Sequence, residues 1–118
     1  MPKTVLIIEN DPDTLDVLCE VVSAAGAEVV CRTETLELPK LKELNPALIL
    51  VDHWLNGELG ADYCKLVKTN TGTNHIPVII MSAVTMIGVI ADNALADGLL
   101  HKPFDINYLE ELVRHYTA

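Results

Sequence analysis

The chain has 118 residues, a length typical of one domain with a single core. Half of its residues are hydrophobic, which excludes a disordered chain. The formal net charge of −9 opposes contact with a phosphate backbone, so we expect no direct nucleic-acid binding.

The three cysteines, Cys19, Cys31 and Cys64, are an odd number without metal-binding spacing or a Cys-x-x-Cys motif. We expect all three to be buried, reduced thiols. No signal peptide precedes the first apolar run, and no run approaches the roughly 20 residues that cross a bilayer. The sequence therefore predicts a cytoplasmic protein that does not contact the membrane.

Fully apolar runs alternate with helical patterns along the chain. Such runs are typical of strands that are buried on both faces, which means a parallel sheet. In chain order, the sequence predicts a strand at 5–8, a helix at 12–25, a strand at 29–31, a helix at 36–44, a strand at 47–51, a loop at 53–60, a helix at 61–68, a polar turn at 70–75, a strand at 78–81, a helix at 86–96, a strand at 99–101 and a helix at 106–116. Five strand–helix units predict one α/β domain over 1–118, with a doubly wound parallel sheet and helices on both faces.

Several residues predict where the helices begin and end. Asp11 is a candidate N-cap, and Pro12 suits the first turn that follows it. Gly26 is expected to end this first helix. Pro39 must lie in the first turn of the second helix, and Asn45 with the following proline ends it.

Polar side chains follow the buried strands. Glu9 and Asn10 follow the first strand, Asp52 ends the run at 47–51, Ser82 follows the run at 78–81, and Lys102 follows the last strand. In an open parallel sheet the ligand crevice lies outside the carboxyl ends of the strands. Carboxylates, a hydroxyl and an ammonium at one edge could bind a metal ion and a phosphoryl group.

Four motifs in this order resemble the receiver domains of two-component response regulators, the CheY-like superfamily. They are Ile8-Glu9-Asn10-Asp11-Pro12, Leu50-Val51-Asp52, Met81-Ser82-Ala83 and Lys102-Pro103-Phe104. The likeness extends from Thr4 to about Arg114. It implies a flavodoxin-like sheet with strand order 2-1-3-4-5 and a signalling switch rather than an enzyme.

By this resemblance, Asp52 is the phosphoacceptor for a histidine kinase or a histidine phosphotransfer protein. Lys102, before a cis Pro103, would pair with the phosphoryl oxygens, and Ser82 would donate a hydrogen bond to them. Each residue also has a simpler interpretation. Asp52 could only cap a strand end or pair with Lys102, Ser82 could be a helix N-cap, and Lys102 could be a solvated surface lysine.

The resemblance also implies a Mg²⁺ site. Its ligand set would be Glu9, Asn10, Asp52 and the backbone carbonyl of Trp54. Receivers usually carry Asp where this chain has Asn10, so one formal charge is missing. Because Mg²⁺ sites prefer carboxylates, we expect weak Mg²⁺ binding and slow or absent phosphorylation.

Two further departures concern the output of the switch. Leu99 stands where receivers commonly carry Tyr or Phe, and the 20-residue step from Ser82 to Lys102 is about two residues shorter than usual. The segment 84–91 is unusually apolar. It is either a partner surface or a helix that packs further into the core.

The leading interpretation is a phosphorylatable switch that acts on a downstream protein target or on an output domain outside these residues. The alternative is a degenerate receiver that binds its partner independently of phosphorylation. A flavin-binding electron carrier with the same strand order is disfavoured, because Asp11 and Asp13 would repel a phosphate. The sequence does not decide between a monomer and a homodimer.

Overall fold

The fold was analysed in a computed structural model that describes residues 2–83 and 87–118. Five parallel strands form one sheet in the order β2-β1-β3-β6-β7, which confirms the expected strand order. The strands of this sheet are β1 (Thr4–Ile8), β2 (Glu28–Arg32), β3 (Leu48–Asp52), β6 (Val78–Ser82) and β7 (Gly98–His101). The helices are α1 (Pro12–Ala24), α2 (Leu38–Leu44), α3 (Gly60–Thr69), α4 (Ile87–Asn93) and α5 (Ile106–Thr117).

The core lies on both faces of the sheet. In β3, Leu48 and Leu50 pack against α1 and α5, whereas Ile49 and Val51 pack on the face that carries α2, α3 and α4. All residues of β3 and β6 are buried, as their apolar sequences predict. β2 and β7 are edge strands and are only partly buried.

The predicted caps are present. The Asp11 carboxylate accepts a hydrogen bond from the Thr14 N–H, at 3.1 Å, and Pro12 begins α1. After α1 the chain turns at Gly26, which has φ +98°. Asn45 ends α2 in the left-handed region, at φ 45°. The helices α1 and α2 are thus each followed by a Gly or Asn in a left-handed conformation that most other residues adopt only at a cost.

The helix predicted at 86–96 differs from the structure. Residues 84–86, where it was expected to begin, lie outside the described residues. The described part, α4, ends at Asn93 and is followed by a turn with Leu95 at φ 65°. The Ala96 N–H donates to the Ala91 carbonyl at 3.0 Å across this turn. The described part of this helix is therefore seven residues long, and it ends before the predicted limit at residue 96.

The predicted loop at 53–60 contains a small antiparallel hairpin, so that prediction is wrong in part. β4 (Trp54–Leu55) pairs with β5 (Glu58–Leu59) around Asn56 and Gly57, and Gly57 has φ +84°. Asn-Gly is the dipeptide that favours a two-residue hairpin turn, and this signal was in the sequence. α3 then begins directly, at Gly60.

Gly60 allows the chain to return to the end of β3. Its N–H donates to the His53 carbonyl at 2.7 Å. A β-carbon at this position would overlap the Asp52 carbonyl oxygen, and backbone cannot give way as a flexible side chain can. Position 60 therefore requires glycine because of a close backbone approach.

The cysteine prediction is wrong for two of the three residues. Cys19 of α1 is half-buried, Cys31 of β2 is exposed, and the two form a disulfide with a Cα–Cα distance of 6.6 Å. The packing of α1 against β2 brings them together, and the 12-residue separation carries no motif that would show it. Cys64 is a buried free thiol, as expected. Burial raises the pKa of Cys64 to about 12, which makes it a poor nucleophile.

None of the helices within 2–83 and 87–118 has the length and apolar character that a membrane span needs.

We predict that Cys31→Ser lowers the free energy of unfolding by about 2–4 kcal/mol under non-reducing conditions, because the cross-link restricts the unfolded chain. Urea denaturation with and without dithiothreitol measures the effect. In dithiothreitol the variant and the wild type should unfold at similar urea concentrations. Equal stabilities without reductant would show that the disulfide contributes nothing.

We predict that Gly60→Ala destabilises the protein by roughly 1–3 kcal/mol, because the backbone at Asp52 has to shift. Gly88→Ala is the matched control: no described atom lies within 4 Å of the position that its added methyl group would take, so helix propensity should make it neutral or slightly stabilising. Urea denaturation followed by the fluorescence of Trp54, the only tryptophan, checks both. An unchanged Gly60→Ala protein would contradict the close approach.

Candidate functional site

The strand register brings the predicted site residues to one edge of the sheet. Ile8 is paired with Val51, so Glu9 and Asp52 follow side by side. Asp52 is paired with Met81, which places Ser82 one residue beyond it. The other predicted residue at this edge is Lys102, whose backbone N–H donates to the Ser82 carbonyl at 3.0 Å. Residues from four separate parts of the chain therefore meet at the carboxyl ends of the central strands.

One ammonium serves two buried carboxylates. Lys102 Nζ lies 2.9 Å from Asp52 Oδ1 and 2.9 Å from Glu9 Oε2, and it is 3.2 Å from Glu9 Oε1. Glu9 is 1% exposed and Asp52 is 5% exposed, so neither charge is well solvated. The Lys102 side chain is more open, at 24% exposed. The ammonium therefore compensates both carboxylates from the solvent side.

These contacts shift the pKa values of two of the groups. Burial raises the pKa of the Glu9 carboxyl above its ordinary value, and this effect exceeds the opposing hydrogen bond from Lys102. The negative charge of Asp52 raises it further. Burial lowers the pKa of Lys102, but its hydrogen bonds to Asp52 and Glu9 outweigh burial and hold that pKa above its ordinary value. Lys102 is thus a permanent cation at neutral pH.

Asn10 lies on the other side of Asp52. With its amide nitrogen turned toward its acceptors, Asn10 donates to Asp52 Oδ2 at 3.1 Å and to the Trp54 carbonyl at 3.0 Å. This orientation satisfies the hydrogen-bonding groups, because the amide oxygen would otherwise face two other oxygens. The two oxygens of Asp52 are therefore held by different groups, Oδ1 by Lys102 and Oδ2 by Asn10.

The hairpin directs the Trp54 carbonyl toward Asn10 while the indole remains 56% exposed. Trp54 thus contacts Asn10 through its backbone carbonyl and not through its side chain. The hairpin itself is held by the close approach of Gly60 to the end of β3.

Ser82 ends β6 and is 1% exposed. The interpretation that Ser82 only caps the next helix concerns residues 84–86, outside the described chain. The interpretation of Lys102 as a solvated surface lysine is wrong, because it is paired with two carboxylates. Pro103 follows in a cis peptide bond, as expected. Asp52 does pair with Lys102. This contact is compatible with Asp52 as a phosphoacceptor and also with Asp52 as a residue that only stabilises the fold.

The corner of the site formed by Asn10, Asp52 Oδ2 and the Trp54 carbonyl can accept a hard divalent cation in one orientation of the Asn10 amide. Turned with its oxygen inward, Asn10 would join Asp52 Oδ2 and the Trp54 carbonyl as an oxygen ligand, the type that Mg²⁺ prefers. Glu9 is occupied by Lys102. Within the described residues no three His, Cys, Asp or Glu side chains gather as a metal site. A cation here would therefore depend on Asn10 and on a backbone carbonyl.

His53, which directly follows Asp52, was not singled out from the sequence. Its side chain is 3% exposed and its ring lies edge-on to that of Trp54, with centroids 4.9 Å apart. Its Nδ1 has no hydrogen-bond partner among the residues that the structure describes. The signal in the sequence that could have drawn attention to His53 was its position directly after Asp52.

Comparison with known proteins shows which family this chain resembles. The sequence model of the response regulator receiver domain matches residues 5–114. The polar-differentiation response regulator DivK of Brucella anthropi is 29% identical over all of this chain and 98% of its own length. The DNA-binding response regulator MtrA of Mycolicibacterium smegmatis is 28% identical over 97% of this chain, but the chain spans only 50% of that protein.

Solved structures show the same fold. A crystal structure from Chloroflexus aurantiacus J-10-fl has a TM-score of 0.89 with 26% identity, and covers 99% of this chain and 98% of its own. The chemotaxis response regulator CheY4 of Vibrio cholerae has a TM-score of 0.81 with 20% identity, over 98% of this chain and 99% of its own. Since the family match covers nearly the whole chain and the strand order agrees, this protein belongs to the response regulator receiver domain family.

Proposed function

We propose that this domain accepts a phosphoryl group on Asp52 from a histidine kinase or a histidine phosphotransfer protein, and that a partner reads the change. The supporting observation is a nearly buried carboxylate at a strand end, 2.9 Å from a half-buried ammonium. Receiver domains are signalling domains, and they generally bind Mg²⁺ at the phosphorylation site. The proposal applies this family chemistry to the residues of this chain.

The reaction forms one bond and breaks another. An Asp52 oxygen attacks phosphorus, the P–N bond of the donor's phosphohistidine breaks, and the departing imidazole takes up a proton. The product is a mixed anhydride. Lys102, whose ammonium lies 2.9 Å from Asp52 Oδ1, would pair with the phosphoryl oxygens, and the Ser82 hydroxyl would donate a hydrogen bond to them. Mg²⁺ held by Asp52, Asn10 and the Trp54 carbonyl, together with Glu9, would neutralise part of the charge; we expect it to bind weakly.

Phosphorylation would change the balance of charge at this edge. It adds about 1.5 to 2 negative charges at neutral pH. Lys102 is then drawn between Glu9 and the phosphoryl group, which competes for the same ammonium. Because the backbone of Lys102 is hydrogen-bonded to Ser82, this competition acts on the connection between β6 and β7. The surface formed there is our candidate for the region that a downstream protein or an output domain reads.

The rotamer switch commonly used by receivers is absent at the expected position, where Leu99 is half-buried against the core. In α4, Val89 is 55% exposed, whereas Ala91 is buried. The apolar segment 84–91 therefore combines a core-facing and a solvent-facing side in its described part. The remainder of that prediction lies at 84–86, outside the described residues.

We predict that acetyl phosphate adds one phosphoryl group to the protein, that the group requires Asp52, and that hydroxylamine removes it because it is an acyl phosphate. Intact-mass measurement at several Mg²⁺ concentrations follows the modification. Asp52→Ala should abolish it, whereas Asp62→Asn, an exposed carboxylate in α3, should leave it unchanged.

Asn10→Asp serves as the positive control in the same experiment, because it restores the carboxylate that most receivers carry. If the Asn10→Asp protein is phosphorylated and the wild type is not at any Mg²⁺ concentration, the proposal fails. The result would then favour the alternative of an interaction module that does not depend on phosphorylation.

We predict that Lys102→Met lowers the free energy of unfolding at pH 7 by about 3–5 kcal/mol, because it leaves two buried carboxylates without a cation. The loss should shrink as the pH falls. A carboxyl whose folded-state pKa is raised contributes stability below its ordinary pKa, and that stability disappears as the pH rises through the raised value.

Urea denaturation between pH 4 and pH 7 measures this dependence, and Lys40→Met is the matched control. Lys40 is exposed in α2, so its replacement should change stability by less than about 0.5 kcal/mol. A Lys102→Met protein with a constant deficit at every pH would show that lost packing, and not unpaired charge, destabilises it.

A further inference from the structure

The Asn10 amide makes contact with two oxygens that a divalent cation would also need. We propose that in the unphosphorylated protein this amide takes the place of the cation, so that Mg²⁺ binds only by displacing it. The inference goes beyond the missing charge at position 10. It rests on the proposed function only in treating this corner as the cation site of a receiver.

The geometry supports replacement by the amide. One –NH₂ group has two hydrogens, and the two acceptors here, Asp52 Oδ2 at 3.1 Å and the Trp54 carbonyl at 3.0 Å, use both. A cation at the same corner would draw these oxygens together by charge, whereas the amide does so by hydrogen bonding. The hairpin that carries Trp54 is thereby tied to the end of β1 without any metal ion.

The charges explain why such a replacement is stable. With both carboxyls ionised, Glu9, Asp52 and Lys102 together carry one net negative charge in a poorly solvated part of the site. An aspartate at position 10 would add a second, which a bound cation would have to compensate. The neutral amide adds no charge and brings two donors. The site without a cation is therefore satisfied, which removes the usual advantage of binding one.

Cation binding must then break both amide hydrogen bonds. The amide either rotates, so that its oxygen becomes a ligand, or withdraws and leaves a water in its place. Mg²⁺ usually retains several waters, so the loss of one neutral ligand is a small disadvantage. The Asn10 amide therefore hinders Mg²⁺ binding, through the hydrogen bonds that must break, more than it helps as a neutral ligand.

The sign of one substitution distinguishes a competitor from a weak ligand. If Asn10 competes, Asn10→Ala should bind Mg²⁺ about fivefold more tightly than the wild type, which corresponds to about 1 kcal/mol for one net hydrogen bond. If Asn10 is only a neutral ligand, Asn10→Ala should bind more weakly. Mg²⁺ titration by calorimetry and by Trp54 fluorescence measures the affinity without any phosphoryl donor.

Three controls accompany the titration. Asn10→Asp should bind most tightly and shows that the corner accepts a cation. Asn74→Ala, in the exposed turn before β6 and so at the opposite end of the sheet from Asp52, should match the wild type. Asn10→Gly repeats the expected direction in case the alanine variant does not fold.

Thermal melting supplies a second readout. Without Mg²⁺, Asn10→Ala should melt at a lower temperature than the wild type because Asp52 Oδ2 and the Trp54 carbonyl lose their donor, and Mg²⁺ should stabilise it more than the wild type. Equal or weaker Mg²⁺ binding by Asn10→Ala and Asn10→Gly would overturn the proposal. Because these measurements use unphosphorylated protein, a failure of phosphoryl transfer would leave their result unaffected.

Discussion

The functional edge of this domain depends on a single ammonium that is shared by two buried carboxylates. Glu9 and Asp52 are both buried, and Lys102 supplies a compensating cation at 2.9 Å to each. The contact between Lys102 and Glu9 joins residues that are 93 positions apart in the sequence. A phosphoryl group on Asp52 would add negative charge, and that charge would have to share the same ammonium with Glu9. The structural pairing and the proposed switch therefore use one set of charges.

Asn10 holds the opposite side of Asp52 by a different kind of interaction. Lys102 contacts Oδ1 by charge, whereas Asn10 contacts Oδ2 through neutral hydrogen bonds that also reach the Trp54 carbonyl. The hairpin around Asn56 and Gly57 makes the second contact possible, since it turns that carbonyl inward. Both oxygens of this carboxylate are consequently contacted by groups of the same chain.

The apolar runs and the residues that end them predicted a parallel sheet and the edge where polar residues meet, whereas the strand order was implied by the resemblance to receiver domains. The pairing of Asp52 with Lys102 was one of the interpretations that the sequence left open, but the contact of Lys102 with Glu9 and that of Asn10 with Asp52 were not predicted. The pairing of Lys102 with Glu9 depends on strand register, and the inward face of the Asn10 amide depends on the hairpin. The hairpin could have been recognised from Asn-Gly. The disulfide could not, because Cys19 and Cys31 meet only through the packing of α1 on β2.

The separation between Lys102 and its partners has a consequence for the order of folding. β1 and β3 are neighbours in the sheet, so Glu9 and Asp52 come together as soon as these two strands pair. Lys102 reaches them only after β6 and β7 have joined, through pairings that span a long stretch of chain. A chain still emerging from the ribosome would carry both carboxylates at an uncompensated edge. The last strand–helix unit thus completes the charge balance as well as the sheet, and a shortened chain that lacks it should fold poorly.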